Sequence, residues 1–343
     1  MYVDFFKFKA APFQLTPDPR FFFGSSVHTR AKAYLTYGLD QKEGFIIITG
    51  DVGAGKTTLV GHLLSTLDAT RHVAAKIVTT HLDAENTLRM VASAFGLEQE
   101  DADKATLLSR IESFLLAQHK EGRRALLVVD EAQNLSFETL EELRMLSNFQ
   151  MEEVSLLQIF LLGQPQFRRT LASPDLDQFR QRIIASYHLG PVNAEETQEY
   201  VKHRLRAVGW ANDPEITDAA FEEIYKFSGG VPRRINLLCS RLLLFGFLEE
   251  VHHLDRDSVM QVAEDLKEET EQVLDHKSDD MVSKLQTTLS AGLRSADVSD
   301  IKKRLDNLEA DVEHHDFAFR KALVMLFEYL SLVNGETKKK DNA

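Results

Sequence analysis

Glycine spacing in one eight-residue segment constrains the fold of this chain more than any other feature. The segment reads Gly50-Asp51-Val52-Gly53-Ala54-Gly55-Lys56-Thr57. It follows an apolar run typical of a buried strand, Phe45–Thr49, and opens a helical pattern, Lys56–Leu67. The order G-x-x-x-x-G-K-[ST] between a strand and a helix is typical of a loop whose main-chain N–H groups surround phosphate. The segment therefore predicts a strand–loop–helix unit of an α/β domain that binds the phosphates of ATP or ADP.

Several residues of this loop (hereafter the P-loop, residues 50–57) have individual chemical roles. We expect the main chain from Gly50 to Thr58 to bind the phosphates. Lys56 would reach the β- and γ-phosphates, and the Thr57 hydroxyl would ligate Mg²⁺.

A second apolar strand, Ala125–Val129, ends in two adjacent carboxylates, Asp130 and Glu131. Asp130 is suited to hold the Mg²⁺ shell, and Glu131 to orient and deprotonate an attacking water. The alternative is a turn that simply starts at the sheet edge, and the neighbouring P-loop makes the catalytic interpretation the stronger one.

A third apolar strand, Leu156–Leu162, ends at Gly163-Gln164-Pro165. The carboxyl ends of neighbouring parallel strands face one crevice, so Gln164 is a candidate to hydrogen-bond the γ-phosphate or the water. Glutamine is also common in turns, and a polar turn residue is the alternative.

Two arginine sites complete the candidate set. Arg180 and Arg182 precede a probable fifth strand near Tyr187–Leu189, and Arg233 follows Pro232 at the start of a helix. Arginine stabilises charge on a transferred phosphoryl group, from the same subunit or from a neighbour. Solvated surface arginines are the alternative. Pro232 would fix the helix start and so orient Arg233.

Strand-like and helix-like segments alternate up to Gly190, which predicts a parallel sheet covered by helices on both faces. Beyond it the pattern is helical. The predicted domains are an aromatic-rich, proline-broken arm with a first helix (1–40), the α/β domain (41–191), a small all-α domain (192–266), a charged linker (267–280) and a C-terminal helical tail (281–343). Because proline blocks a continuous helix, we expect the arm to be extended and to pack on the domain that follows it. In the tail, apolar residues recur at heptad spacing. This pattern favours equally a coiled coil and a helical hairpin that folds back on the preceding domains.

Charge and composition restrict the class of protein. The 343 residues include 40 basic and 53 acidic ones, a net charge of −13, which argues against a dedicated nucleic-acid binder. The amino terminus lacks a signal-peptide layout, and no stretch of about 18 uncharged apolar residues occurs, so we expect a cytoplasmic protein without a direct membrane span. The single cysteine, Cys239, excludes an internal disulfide and is expected to be a buried apolar residue. Surface positions are expected for two histidine pairs, 252–253 and 314–315, because adjacent helical residues cannot easily share one metal ion.

Taken together, these motifs resemble the AAA+ ATPases. More narrowly, the chain is similar to the ATPases related to general secretion pathway protein A, including those encoded with exosortase and exopolysaccharide export loci. The narrower resemblance rests on 12–13, 17–21, 50–58, 130–133, 163–165, 181–183 and 230–236. It implies a P-loop core with an α-helical lid, Gln164 as sensor 1, Arg233 as sensor 2, and Arg182, with Arg180 as the alternative, as an arginine finger. Residues 17–21 and the following helix would then lie near the adenine.

The resemblance also implies an ATP-dependent homo-oligomer that assists an envelope secretion or exopolysaccharide-export system. Secretion relatives often continue into a transmembrane helix and a peptidoglycan-binding domain, whereas this chain has a polar tail. Recruitment to the inner membrane would therefore require a membrane-complex protein partner. A nucleic-acid-associated regulator, similar to transposition helper ATPases, shares the same motifs and is the alternative function. A scaffold with an inactive nucleotide site is the weaker third option, since every catalytic residue type is present.

Overall fold

The structure is a computed structural model, and it describes residues 1–14, 18, 21–41, 43–79, 83–100 and 102–269. The predictions for the C-terminal tail, for most of the linker and for Pro17, Pro19 and Arg20 lie outside the described residues.

Nine strands and twelve helices are found in the described part of the chain. The strands are β1 (Phe45–Gly50), β2 (His72–Val78), β3 (Arg124–Asp130), β4 (Gln150–Met151), β5 (Val154–Ser155), β6 (Leu157–Gly163), β7 (Ile183–Leu189), β8 (Glu215–Ile216) and β9 (His253–Leu254). The helices are α1 (Tyr2–Phe5), α2 (Ser26–Gln41), α3 (Lys56–Thr66), α4 (Ala84–Ala94), α5 (Lys104–Lys120), α6 (Phe137–Leu146), α7 (Gln166–Leu171), α8 (Asp177–Arg180), α9 (Ala194–Ala207), α10 (Asp218–Ser228), α11 (Pro232–Leu248) and α12 (256–269).

Five of these strands form one parallel sheet in the order β2-β3-β6-β1-β7. Strand β1 lies between β6 and β7, and every one of its residues is buried. Parallel strands in this position are covered on both faces, which explains their continuous apolar sequence. The predicted parallel sheet is confirmed. Strand β7 starts four residues before the predicted Tyr187, because this edge strand alternates buried residues such as Ala185 and Leu189 with more exposed ones and so lacks a continuous apolar run.

The two faces of the sheet carry separate apolar cores. Ile46 and Ile48 of β1 pack with residues of α2 and α3, whereas Phe45 and Ile47 pack with residues of α4, α5 and α6. This alternation follows from the period of two along a strand. Helix α3 thus lies directly after β1 on one face, and the P-loop joins them at the carboxyl edge of the sheet.

The helical region after residue 190 has a third core, built by α9 to α12. The amino-terminal arm belongs to this core: Phe6, Phe8, Phe13 and Phe21 are each at least 93% buried within it. The arm was predicted to pack on the domain that follows it in sequence, and that prediction is wrong. Its rings fill the apolar faces of the helical region instead, because α2 and α3 already cover the near face of the sheet.

Residues Met1–Lys267 form one compact unit. In the part of the chain that is described, no helix combines the length and the apolar composition that a membrane crossing requires.

Candidate active site

The P-loop wraps back on itself between β1 and α3 with two glycines in the left-handed region. Gly53 has φ of 83° and Gly55 has φ of 95°, which side-chain-bearing residues rarely adopt. Helix α3 begins at Lys56, so its first N–H groups have no partner within the helix and point into the loop. A loop of free amides at a helix N-terminus is suited to bind an anion.

Lys56 is buried inside this loop, with 7% of its surface exposed. Its Nζ donates to the carbonyl oxygens of Gly50 at 2.7 Å and Asp51 at 3.0 Å. Burial lowers the pKa of Lys56, and the nearby carboxylates of Glu131, Asp130 and Asp51 oppose this shift. Among the described residues no carboxylate contacts Lys56 directly, so the loop presents a cation that can pair with phosphate.

Asp130 ends β3 with 4% of its surface exposed, beside the first turn of α3. The Thr57 hydroxyl donates to Asp130 Oδ2 at 2.9 Å. Hydroxyl and carboxylate oxygens are the ligands that Mg²⁺ prefers, so the pair predicted for the metal fits it in chemistry and proximity.

Lys76 makes a contact with the site that was not predicted from the sequence. Its Nζ forms an ion pair with Asp130 Oδ2 at 2.9 Å from strand β2. The available signal was a lysine within the otherwise apolar segment 73–78, and the register of the edge strand β2 sets Lys76 beside Val128 of β3. Lys76 Nζ and the Thr57 hydroxyl thus both contact Oδ2 of Asp130.

Glu131 is held in a fixed orientation by two glutamines. Gln133 Nε2 donates to Glu131 Oε2 at 2.5 Å, and Gln164 Nε2 donates to the same oxygen at 3.3 Å. Gln133 also accepts from the Gln164 main-chain N–H at 2.9 Å, which ties the ends of β3 and β6 together. Glu131 itself has φ of 57°, a strained conformation for a non-glycine residue and one found at functional sites.

The structure therefore brings Gln164 to Glu131, as the sheet topology predicted. Gln133 was quoted in the resemblance but not as a site residue. Its position two residues after Glu131, in the short turn Ala132–Asn134, is what allows its side chain to reach both partners.

A cavity of about 300 Å³ lies over the P-loop. The α/β domain lines it with P-loop and strand-end residues, and the arm and helical region line it with aromatic and polar side chains. The lining residues are Gln14, Phe21, Phe22, Phe23, His28, Val52, Gly53, Gly55, Lys56, Thr57, Thr58, Glu131, Tyr200, Arg204, Pro232, Arg233 and Asn236.

The first turn of α11 forms part of the cavity wall and contacts the P-loop directly. Pro232 is the first residue of α11, and the Arg233 main-chain N–H donates to the Gly53 carbonyl at 3.2 Å. A Cβ on Gly53 would lie 2.3 Å from Arg233 Cβ, so the loop needs glycine there. Arg233 also lines the cavity, and its role in sensing a bound nucleotide stays a prediction.

His28 of α2 supports the loop from the other side. Its ring contacts Ser25 Oγ through Nδ1 at 2.6 Å and the Ala54 carbonyl through Nε2 at 3.2 Å. Since a carbonyl only accepts, Nε2 is the protonated nitrogen in this contact. Burial lowers the pKa of His28, which favours the neutral ring. The resemblance implied a position near the nucleotide for α2 but did not single out this histidine.

Arg182 and Arg180 lie away from the P-loop of their own chain. Arg182 precedes β7, whose register sets Ile183 beside Phe45 at the amino end of β1. The P-loop begins five residues further along β1, about 16 Å away at the rise of a strand. Arg180 is held within the chain, since it donates to the Leu171 carbonyl and pairs with Asp177. Among the described residues, the Arg182 guanidinium has no hydrogen-bond or ion-pair partner, so it is the arginine of the two that is available to another molecule.

Other predicted features are also placed by the structure. Cys239 is fully within the helical core, and burial raises the pKa of its thiol, as expected for an unreactive apolar residue. His252 pairs with Asp213 and His253 with Glu215, so the two adjacent rings turn to different partners. The 314–315 pair lies outside the described residues.

Residues 39–171 match the AAA domain family. Over 255 residues the chain is 38% identical to general secretion pathway protein A of Aeromonas hydrophila, an alignment that covers 74% of this chain. The chain spans 46%, less than half, of that relative's length.

Solved structures show a similar fold at low sequence identity. The origin recognition complex protein ORC2 of Aeropyrum pernix superposes with a TM-score of 0.53 at 17% identity, over 69% of this chain and 66% of that one. A Walker-type ATPase of Pyrococcus abyssi gives 0.52 at 13% identity, over 80% of each chain.

Proposed function

Because the chain belongs to the AAA family, among the relatives of general secretion pathway protein A, we propose that it binds and hydrolyses ATP with Mg²⁺. The observation that carries this proposal is the convergence of Lys56, Thr57, Asp130 and Glu131 at one edge of the sheet, beside one cavity. Those four residues supply a phosphate-binding cation, oxygen ligands for a metal and a carboxylate base.

In the proposed reaction the phosphate chain lies against the P-loop amides, and Lys56 exchanges its bonds to the Gly50 and Asp51 carbonyls for phosphate oxygens. Thr57 and Asp130 would hold Mg²⁺, which neutralises charge on the β- and γ-phosphates when bound. Glu131 accepts a proton from the attacking water, while Gln133 and Gln164 keep its second oxygen oriented. Gln164 can shift from Glu131 to the γ-phosphate, as a sensor would.

Arg233 would couple the nucleotide to the helical region. Its main chain is bonded to Gly53, so a phosphate that draws in the Arg233 side chain also fixes the start of α11. Occupancy of the cavity and the position of the helical region are thereby linked, which is the arrangement expected of an ATP-driven switch or motor.

We further propose that the site is completed by a neighbouring copy in an ATP-dependent homo-oligomer. Arg182 precedes β7 at the amino end of β1, and about 16 Å of strand separates that end from the P-loop of the same chain. The proposed role of Arg182 is therefore to contact the phosphates bound by another subunit. Mg-ATP turnover would then rise with protein concentration.

The cellular role proposed is assistance to an envelope secretion or exopolysaccharide-export system through a membrane-complex partner. The similarity to a general secretion pathway protein supports the secretion part of this proposal. Nothing in the described site favours the nucleic-acid alternative, and the net charge of −13 opposes it.

The proposal is tested by comparing the wild-type chain with Lys56→Ala and Glu131→Gln. We expect Lys56→Ala to lose ATP binding, and Glu131→Gln to bind ATP while its turnover falls about 100-fold or more, because the general base is gone. Undiminished turnover by Glu131→Gln would refute the assignment of the base.

A second measurement tests the neighbour's arginine. The mass in solution and the turnover are measured for Arg182→Ala with and without a nonhydrolysable ATP analogue. Arg71→Ala removes an arginine that is 79% exposed and is the matched control. Normal concentration-dependent turnover by Arg182→Ala would exclude its role in trans. ATP-dependent retention on duplex DNA that weakens steeply with salt would instead support the nucleic-acid alternative.

A further inference from the structure

Arg204 is a buried cation in the wall of the cavity that the phosphate chemistry does not use. It lies on α9, has 6% of its surface exposed, and lines the cavity. Its Nη1 donates to the Pro12 carbonyl at 2.9 Å. The guanidinium lies 5.1 Å from the centre of the Phe21 ring and 5.3 Å from that of Tyr200, so two aromatic rings flank the charge.

These contacts leave the guanidinium under-satisfied. An arginine side chain carries five N–H donors. In the described part of the chain, Arg204 has no carboxylate within ion-pair distance, and its buried Nε has no hydrogen-bond partner. A buried cation without a matching acceptor destabilises a fold unless a ligand supplies that acceptor.

The position of Arg204 indicates which part of a nucleotide would supply it. Arg233 contacts the P-loop, and Asn236 lies one turn further along α11, about 4.5 Å along the axis. Tyr200 donates to Asn236 at 2.9 Å and stands one turn before Arg204 on α9. The arginine therefore belongs to the aromatic part of the cavity, beyond the part where Lys56 and Thr57 would hold phosphates.

We propose that Arg204 reads the base of the bound nucleotide by donating a charge-assisted hydrogen bond to a ring nitrogen of adenine. Adenine N1, N3 and N7 are all acceptors, and the flanking rings of Phe21 and Tyr200 suit a flat heterocycle. This inference rests on the proposed ATP binding and adds to it the residue that distinguishes ATP from a bare triphosphate.

The first experiment needs no substitution. The full-length wild-type chain is titrated with ATP, with inorganic tripolyphosphate, and with 1-deaza-, 3-deaza- and 7-deaza-ATP, each of which lacks one ring acceptor. We expect one deaza analogue to bind about tenfold or more weakly than ATP, the loss expected for one hydrogen bond to a charged donor. If all three bind as tightly as ATP, or if tripolyphosphate does, Arg204 does not read the base, although phosphate binding stands.

The second experiment assigns the effect to Arg204. In Arg204→Met, ATP and the three deaza analogues should bind with equal, weakened affinity, while tripolyphosphate binds as it does to the wild type. Arg206→Met on the same helix removes an arginine that is 59% exposed and should retain the wild-type pattern. An equal loss of ATP and tripolyphosphate in Arg204→Met would overturn the proposal in favour of a phosphate contact or a purely structural role. Failure of the wild type to bind either ligand would refute the proposed function itself.

Discussion

Gly53 offers a quantitative test of the contact between the P-loop and α11. Its φ of 83° alone costs an alanine roughly 1–2 kcal/mol. An added Cβ would also lie 2.3 Å from Arg233 Cβ, whereas ordinary contacts begin at 3.4 Å, so the two segments must separate by about 1 Å. Overpacking of this kind costs about 1–3 kcal/mol more. We expect Gly53→Ala to lower the free energy of unfolding by about 2–5 kcal/mol in total and to weaken ATP binding at least tenfold.

Two other glycines separate these effects. Gly96 follows α4 with φ of 77°, and a Cβ added there would meet no other atom within 4 Å, so Gly96→Ala carries the backbone cost alone. Gly61 lies inside α3 with open space around it, so Gly61→Ala should stabilise by about 0.5–1 kcal/mol. Thermal unfolding midpoints should rank Gly61→Ala highest, then the wild type, Gly96→Ala and Gly53→Ala.

Adding Arg233→Gly to Gly53→Ala removes the opposing Cβ. The double variant should recover part of the midpoint but not the ATP affinity, since the Arg233 side chain is also lost. The steric conflict would be refuted if Gly53→Ala unfolded at the same midpoint as Gly96→Ala and bound ATP normally.

Two further predictions concern groups that the sequence pattern did not single out. Burial lowers the pKa of His28, so as the pH falls the unfolded state binds the proton before the folded state does. The free energy of unfolding should therefore decrease as pH drops below about 6.5, by at most about 1.4 kcal/mol per pH unit. His28→Gln should flatten this part of the pH profile of the unfolding midpoint, and an unchanged profile in His28→Gln would contradict the prediction. Lys76→Met leaves the Asp130 carboxylate without its cation, so Mg²⁺ should bind the ATP complex more tightly; unchanged Mg²⁺ affinity in a metal titration would contradict this competition.

Much of the fold could be predicted because its buried strands are continuous apolar runs and its helices begin at capping residues. Asn193, for example, is the N-cap of α9, and its side chain accepts from the Glu196 main-chain N–H. The P-loop and the strand-end carboxylates could also be predicted from the sequence, because their chemistry requires particular residue types at fixed spacings.

The remaining features depend on contacts between segments that are distant in sequence. In the sequence, no motif or spacing assigns Lys76, Gln133 or Arg204 to the site. Their roles follow from the register between β2 and β3, from the approach of β6 to β3, and from the passage of the arm beside α9. The docking partner of the arm was mispredicted for the same reason, since sequence order does not specify which apolar face remains uncovered.

The docking of the arm has a consequence for synthesis on the ribosome. Pro12 and its partner Arg204 are 192 residues apart, and four phenylalanines of the arm are buried only when the last helices of the core have been made. At about 5–20 residues per second, these rings remain exposed to water for roughly 12–50 s after they leave the exit tunnel. Throughout that interval the nascent chain exposes an aromatic-rich segment, to which chaperones that bind emerging apolar polypeptides can bind.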